Sequence, residues 1–484
     1  MPQEPINFGP NQDSSSDELG GASPRAINVI IDKNGTVSKR PGIKVYDEAP
    51  LGVIDATGIS GLYAANNGNL YAVNNNLNSK TIYRVANGSA NPVGGPVGTD
   101  KLIGNGRPTF TETELYLILA AGLDIQKVHL VTNESSRLGG SPPLASHVVA
   151  NSSRLLANDM TVDKTKVRFS GIFQGTIDVS GMEEWDVTAD PDDGGFFTAE
   201  ARPDDVVAVG ENTNEIFVWG KDNVQVFVPD ATLIFAPAAT REYGTIAPYS
   251  IIKTDGKFFW LDQHLRFIYS DGREFNNIEK PIKKQLDALT NPSDCFGFRF
   301  LLGDKECYAW TFIQDQVTFV FQMDAGWSQW NSWDSSASNF TRLNILSHYL
   351  RRDGGVNVVG TYDGRIGKLD LDTPDDLGEL INANTTTGFL NRGTENRKLC
   401  KSIKISARRG NYSTESVGRL EWRDNPGAWN GPLLVDFGDT GDYHVVKEFR
   451  SLGTYNRRQW KFTFSDSANL SLVKVVEDFE VLSI

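Results

Sequence analysis

Between about residue 60 and residue 370, apolar runs of four or five residues alternate with short polar stretches rich in Gly, Asn and Asp. The runs fall into groups. One holds Leu62–Ala64, Asn69–Val73 and Thr81–Val85; the next holds Glu114–Ile118 and Ile125–Val128. A third holds His147–Val149, Arg154–Ala157 and Val167–Phe169, and a fourth Asp205–Val209, Glu215–Trp219 and Val224–Val228. The fifth runs through Ser250–Ile252, Lys257–Leu261 and Leu265–Tyr269, the sixth through Phe296–Phe300, Cys307–Phe312 and Val317–Phe321, and the seventh through Leu343–Tyr349, Val356–Gly360 and Arg365–Leu369. Each run is too short for a helix and rich in β-branched and aromatic residues, so each predicts a strand. Asp255-Gly256, Asp271-Gly272 and Asp363-Gly364 separate consecutive runs and are dipeptides that tight hairpins favour.

The groups recur roughly every 40 to 60 residues, the length of a propeller blade. The pattern predicts an all-β chain with a β-propeller of about seven blades over residues 42–370. A blade needs four strands and most groups show three, so a pair of β-sandwiches remains the competing arrangement. One helix is predicted, with Ile278, Ile282, Leu286 and Leu289 on one face, Asn277 as cap and Pro281 in the first turn.

Beyond the propeller the texture changes. Residues 371–397 are acidic, then polar and Thr-rich, and read as a linker. Residues 398–484 alternate strictly: Ile403, Ile405 and Ala407 against Lys404, Ser406 and Arg408, and Trp460, Phe462 and Phe464 against Lys461 and Thr463. That period of two predicts a C-terminal antiparallel β-sandwich. Residues 1–41, polar except for a strand at Ile27–Ile31, read as an extended N-terminal arm.

Composition narrows the function. The chain has 484 residues, 61 acidic and 47 basic, for a formal charge of −14. Such a surface does not seek nucleic acid, though it suits a wall that DNA slides past without sticking. Cys295, Cys307 and Cys400 form no close pair, which argues against a disulfide framework and a thiolate metal site. Met1–Asn28 carries no basic segment followed by an apolar one, and no run of about 18 apolar residues occurs, so neither a signal peptide nor a membrane span is expected.

The sequence holds no phosphate-binding glycine loop, zinc-protease helix, hydrolase elbow or Cys–His nucleophile pair. His129, His147, His264, His348 and His444 lack metal-ligand spacing and read as turn or strand residues. No catalytic, cofactor-binding or metal-ligating residue is assigned, and an enzyme is not expected. Glu183–Asp205 is acidic, with Glu183, Glu184, Asp186, Asp190, Asp192, Asp193, Glu200, Asp204 and Asp205 against Arg202. Asp190, Asp192 and Gly194 half-match a calcium loop, but Ala201 stands at its twelfth position. Two carboxylates across a cleft would suit glycoside hydrolysis, so a glycan-binding or glycoside-hydrolysing propeller is the alternative function. Arg392, Arg397, Lys398, Lys401, Lys404, Arg408 and Arg409 form a basic stretch without interleaved aromatics, a pattern for a charged subunit contact with the acidic stretch rather than for nucleic acid.

Several segments in order along the chain resemble the tail hub, or nozzle, proteins of P22-like short-tailed phages, the packaged-DNA stabilisation family. They are Ser38-Lys39-Arg40-Pro41-Gly42-Ile43, Arg202–Val209 leading to Val224–Phe227, Ile278-Glu279-Lys280-Pro281-Ile282, Gly367-Lys368-Leu369-Asp370, and the basic-aromatic strand before Leu470. The resemblance implies a β-propeller with added β domains and no catalytic residues or cofactors. It implies a homo-hexameric ring in the virion tail, below the portal and its adaptor ring, assembled in the host cytoplasm. Such a ring continues the channel for double-stranded DNA, helps retain packaged DNA, and meets a tail needle or plug, tailspikes or fibres, and the host envelope at ejection. The longer polar N-terminal segment and the acidic loop depart from the family pattern.

Overall fold

The computed structural model describes all residues except 1–2, 7, 9–25, 33–34, 96–100, 152, 175, 177–178, 189, 200–203, 214, 352–354, 410–416, 426, 439–442, 466–469 and 483–484. The chain divides into two compact units. One comprises Val45–Arg299 and Ile345–Lys368; the other comprises Met1–Lys44, Phe300–Asn344 and Leu369–Ile484.

The first unit is a β-propeller of six sheets. Their innermost strands are Ile59–Ala64, Thr109–Glu112, Val148–Asn151, Ala208–Asn212, Ile252–Thr254 and Ser347–Leu350. Each is followed in the sheet by its successors in sequence, antiparallel, as tight hairpins dictate. Gly256, Gly272 and Gly364 occupy positive φ at the three Asp-Gly turns, as the turn type requires.

The second strands are the most apolar because neighbouring sheets cover both their faces. Leu70–Asn74, Arg154–Asn158 and nearly all of Tyr116–Ala120 and Glu215–Trp219 are buried. The core is therefore a series of clusters, each shared by two successive sheets. Tyr71 and Val73 meet Leu117 and Leu119; Ile118 and Ala120 meet Leu155 and Ala157. Leu156 and Phe169 meet Ile216 and Val218; Phe217 and Trp219 meet Phe258 and Trp260. The ring closes where Ile59, Leu62 and Leu70 pack with Val358 and Ile366, and Ile59 N–H donates to Thr361 O at 3.0 Å.

The reading of three strands per group is corrected here. The missing members are the outermost strands Ser89–Pro92, Ser135–Arg137, Gly195–Thr198, Ile234–Arg241 and Phe275–Asn277. With much of their surface in water, several have no apolar run to reveal them; Ser89–Pro92 has no buried residue at all. Thr109–Glu112 was hidden for another reason: it lines the axis and is only half-buried throughout. The predicted helix is shorter than its pattern, a turn at Lys280–Ile282 running into Lys283–Leu286. Ile282 and Leu286 are buried as expected, but Asn277 belongs to a strand and cannot cap.

The group beginning at Phe296 forms the sheet Phe296–Leu302, Lys305–Phe312, Val317–Gln322 and Gly326–Gln329, of which only Phe296–Arg299 falls in the propeller unit.

In the second unit, one sheet runs Val29–Ile31, Val37–Lys39, Leu470–Val481, Lys398–Arg409, His444–Arg450. Another path runs Ala26–Ile27, Ala383–Thr386, Arg458–Phe464, Val417–Asp424, Asn430–Asp436. Both contribute to one apolar cluster: Ile403, Ile405 and Leu472 from the first, Leu420, Trp460 and Phe462 from the second. The alternation read at 403–408 and 460–464 is the alternation observed.

Two boundaries differ from expectation. Residues 371–397 are not a bare linker: Asp375–Asp376, Glu379–Leu380 and Ala383–Thr386 are strands, and Thr385 and Thr387 are buried, Thr385 Oγ1 bonding Phe8 O at 2.8 Å. Residues 26–41 are not an arm either, since Ala26–Ile27, Val29–Ile31 and Val37–Lys39 lie within sheets and Gln3–Pro5 pairs with Leu470–Val481; residues 9–25 of the expected arm lie outside the described residues.

Arg40 fixes this N-terminal segment. All five of its N–H groups are used: two on Asp376 at 2.9 and 2.5 Å, one on Asn28 Oδ1 at 3.0 Å, and two on the carbonyls of Pro41 and Asn331 at 2.9 and 3.0 Å. Asn28 breaks the strand expected at Ile27–Ile31 with φ +57°, which turns its side chain onto Arg40 and Asn331 N. Gly42 follows where a Cβ would lie 2.2 Å from Asp375 O.

Removing one partner of a buried pair strands the other charge. Asp376→Ala is expected to cost about 3–5 kcal/mol by urea unfolding, and replacing Arg40 and Asp376 together by apolar residues to cost less than the single change. In the propeller, a Cβ at Gly61 would lie 2.3 Å from Pro108 Cγ and 2.8 Å from the Phe110 ring. Gly61→Val should lower stability by about 1–3 kcal/mol through overpacking between adjacent sheets. Gly52→Ala, where a Cβ meets nothing within 4 Å, should stay within about 0.5 kcal/mol.

Candidate functional site

The innermost strands of the propeller surround a cavity of about 600 Å³. Residues along the whole length of several inner strands reach it. Ser60, Thr109, Val148, Val209 and Ser347 line it near the start of their strands, and Tyr63, Glu112, Glu211, Lys253 and Tyr349 toward the end. Phe296 and Phe298 complete the wall.

Arg107, two residues before its strand, is half-buried at the starting end. Its guanidinium stacks 3.8 Å over the Phe296 ring and donates through Nη2 to Leu346 O. Burial pushes it down to about 10. Lys80 nearby is 1% exposed, donates to Asn76 O at 2.9 Å, and is pushed down to about 8 by burial and by the Arg107 charge.

His147 and His348, 201 positions apart in sequence, both line this cavity. His147 stacks on Tyr249 at 5.2 Å with Nδ1 2.9 Å from Ser146 Oγ; His348 stacks on Phe298 at 5.0 Å with Nε2 3.3 Å from Asn357 Oδ1. Burial pushes each down to about 4, so both are neutral at neutral pH. Their spacing in sequence gave no hint of this, because only ring closure brings the strands together. His348 lies in the strand Ser347–Leu350, and His129 ends the strand Ile125–His129, its Nδ1 accepting Val131 N and Thr132 N.

Toward the other end, Glu112 accepts from Tyr63 Oη at 3.1 Å and Asn66 N at 2.8 Å, and Glu211 pairs with Lys253. Tyr63 lies between two further rings, 5.5 Å from Phe110 and 5.2 Å from Tyr349. The cavity thus has a cationic floor, an aromatic wall and a rim of hydrogen-bonding groups.

The sequence had pointed elsewhere. Within the acidic stretch, Glu183 accepts from Lys127 and from Gly139 N–H, which outweigh burial and hold its carboxyl below the usual range. Asp204 accepts the backbone N–H of Lys221, Asp222 and Asn223, fixing that hairpin turn. Asp190 Oδ1 accepts Asp192 N and Asp193 Oδ2 accepts Thr188 Oγ1, while Glu200–Pro203 lie outside the described residues. Among the described residues, no group of three or more His, Cys, Asp or Glu is placed to hold a metal.

The basic stretch is likewise used at home. Arg392 binds Glu477 at 2.7 Å, Lys398 donates to three carbonyls, and Lys401 and Lys404 pair with Glu480 and Glu448 at 2.7 and 3.8 Å. Each charged stretch therefore serves mainly its own unit. Cys295, Cys307 and Cys400 are buried free thiols, raised by burial and unsuited to act as thiolates.

No family model matches the chain, and no curated protein matches it. Among solved structures, virginiamycin B lyase from Staphylococcus aureus aligns at TM-score 0.44 over 66% of this chain and 96% of that one, with 10% identity. An auxiliary nutrient binding protein from Bacteroides thetaiotaomicron aligns at 0.37 over 72% and 75%, with 9% identity. Kluyveromyces lactis Hsv2 aligns at 0.35 over 63% and 97%, with 11% identity. Likenesses this distant carry no argument about what the chain does.

The histidines make stability depend on pH. A histidine held down in the folded state binds its proton first in the unfolded chain, so stability is complete above about pH 6.5 and is lost as pH falls toward 4. For His147 the loss should reach about 3 kcal/mol, at about 1.4 kcal/mol per pH unit. In His147→Asn, urea unfolding between pH 7 and 4 should show a slope smaller by one proton; an unchanged slope would contradict the assignment.

Proposed function

We propose that the chain is a structural subunit of the tail of a short-tailed phage, a hub or nozzle protein forming a homo-hexameric ring below the portal and adaptor. The observation that carries this reading is that the segments resembling that family occupy fixed points of the fold. In Ser38–Ile43, Arg40 satisfies five donors at one buried node and Gly42 has no room for a side chain. In the segment around Arg202–Val209, Asp204 pins a hairpin turn; in Ile278–Ile282, Ile282 is buried. Short segments that each decide a local geometry form the kind of pattern a shared fold leaves on a divergent sequence.

In this reading the propeller has about seven blades, and Phe296–Phe298 line its axial wall with the other inner strands. The paired sheets after Lys398 form the added C-terminal sandwich. The ring continues the ejection channel, helps retain packaged DNA, and meets the adaptor, a needle or plug, and tailspikes or fibres. A net charge of −14 favours passage of duplex DNA over retention on the wall. The reading of an enzyme is the weaker one. Glu112 and Glu211 line the axial cavity, but one is tied to Tyr63 and Asn66 and the other to Lys253, leaving neither free for acid–base work on a glycoside.

Light scattering after size exclusion and negative-stain imaging test the proposal, on the chain alone and with a portal–adaptor complex. Six-fold rings, formed spontaneously or on the adaptor, with weak duplex binding at low salt, are the expected result. A chain that stays monomeric in both conditions overturns it.

A further inference from the structure

We propose that the axial cavity of the propeller binds a short acidic oligosaccharide, with a sugar carboxylate held by Arg107 at the floor and the following sugar rings laid along Phe110, Tyr63 and Tyr349. The inference does not rest on the tail reading, since it concerns one propeller and not its assembly.

The starting point is a half-buried cation that lines the cavity without a carboxylate partner among the described residues. A buried cation is ordinarily paired, because an isolated one is costly in a low-dielectric surrounding. The buried Arg40 obeys this rule, with a carboxylate at 2.5 Å. Among the described residues no carboxylate pairs with Arg107, which has a carbonyl and an aromatic face instead. Lys80, buried behind the lining, adds positive charge near it, also without a carboxylate among the described residues. The neutral His147 and His348 do not supply the missing negative charge. Arg107 lines an open cavity rather than a closed core, so the counter-charge can come from a ligand. The planar guanidinium fork suits a carboxylate.

The rest of the cavity selects what carries that carboxylate. Its volume of about 600 Å³ lies within the range of small-ligand sites. Arg107 precedes the strand that Glu112 ends, so floor and rim are roughly 17 Å apart along it. A single sugar does not span that length, whereas a chain of two or three does. The wall between is aromatic, with Tyr63 between Phe110 and Tyr349. A pyranose presents an apolar C–H face to such rings and hydroxyls at its edge. The rim offers those hydroxyls Glu112, Asn66, Glu211 and Lys253. A purely apolar acid would leave this rim unused, and a bare inorganic anion would leave the aromatic wall unused.

The test uses the intact chain with three probes: digalacturonate, neutral galactobiose and inorganic phosphate, by calorimetry and saturation-transfer NMR. Digalacturonate is expected to bind saturably and at least about tenfold tighter than either other probe, since it alone satisfies floor and wall together. Arg107→Gln should weaken digalacturonate by about tenfold and leave galactobiose unchanged. Saturation transfer should fall mainly on the ring protons and drop in Tyr349→Ala. Equal binding of galactobiose removes the role of the floor cation, and equal binding of phosphate removes the saccharide; either overturns the proposal, as does no binding of digalacturonate at millimolar concentration. Should Arg107→Gln melt early, the three-probe comparison on the unaltered chain decides alone.

Discussion

A sheet that is apolar on both faces is unstable until something covers each face, and the propeller unit is built from such sheets. Tyr71 and Val73 serve one junction while Leu70 and Ala72 serve another, from alternate positions of one strand. The same division holds at Leu155 and Leu156, and at Phe217 and Ile216. Each strand thus joins two cores, and the only way to leave no apolar face in water is to bring the last sheet back onto the first. The axis follows from this. Strands wedged together at their inner ends need small residues where they approach, as at Gly61 and Gly210, and leave a space between them that polar and aromatic residues line.

Buried charge is handled in two ways. In the second unit, several arginines are paired with carboxylates: Arg40 with Asp376, Arg392 with Glu477, and Arg458 with Asp424, Nε at 2.6 Å. These pairs add geometric definition more than net stability, since each ion is desolvated before it is matched. They tie segments distant in sequence, 28–42 with 331 and 376, or 392 with 477. Other buried cations are met by carbonyls instead: Lys80 and Arg154 in the propeller, and Lys398 in the second unit.

How much of this was legible depended on where each residue's environment comes from. Strands covered on both faces, such as Lys257–Leu261, announced themselves by composition, and so did the alternation at Ile403–Ala407. Outer strands such as Ser89–Pro92 did not, because a water-facing strand has the composition of a loop. The linker reading failed at Ala383–Thr386, a strand in which Thr385 is buried and bonded rather than solvated. The cavity was invisible for a further reason. Its members, Tyr63, Arg107, His147, Lys253 and His348, are spread through the unit and share no motif; they become a site only through closure. The charged stretches misled because local pairing, with Lys127 or Glu477 for example, cannot be read from a count of charges.

The division of the chain has a consequence for biogenesis. The propeller unit is interrupted after Arg299 and resumes at Ile345, and the other unit is gathered from three separate stretches. As the polypeptide leaves the ribosome, the first sheet presents Ile59, Leu62 and Leu70 long before Val358 and Ile366 exist to cover them. Neither unit can finish while the chain is still short, and no single cut releases one of them whole. Maturation is therefore committed late and nearly all at once. A premature stop anywhere before residue 345 leaves an open ring with an adhesive face, a product that quality control in the cell would meet as an aggregating fragment rather than as a smaller working domain.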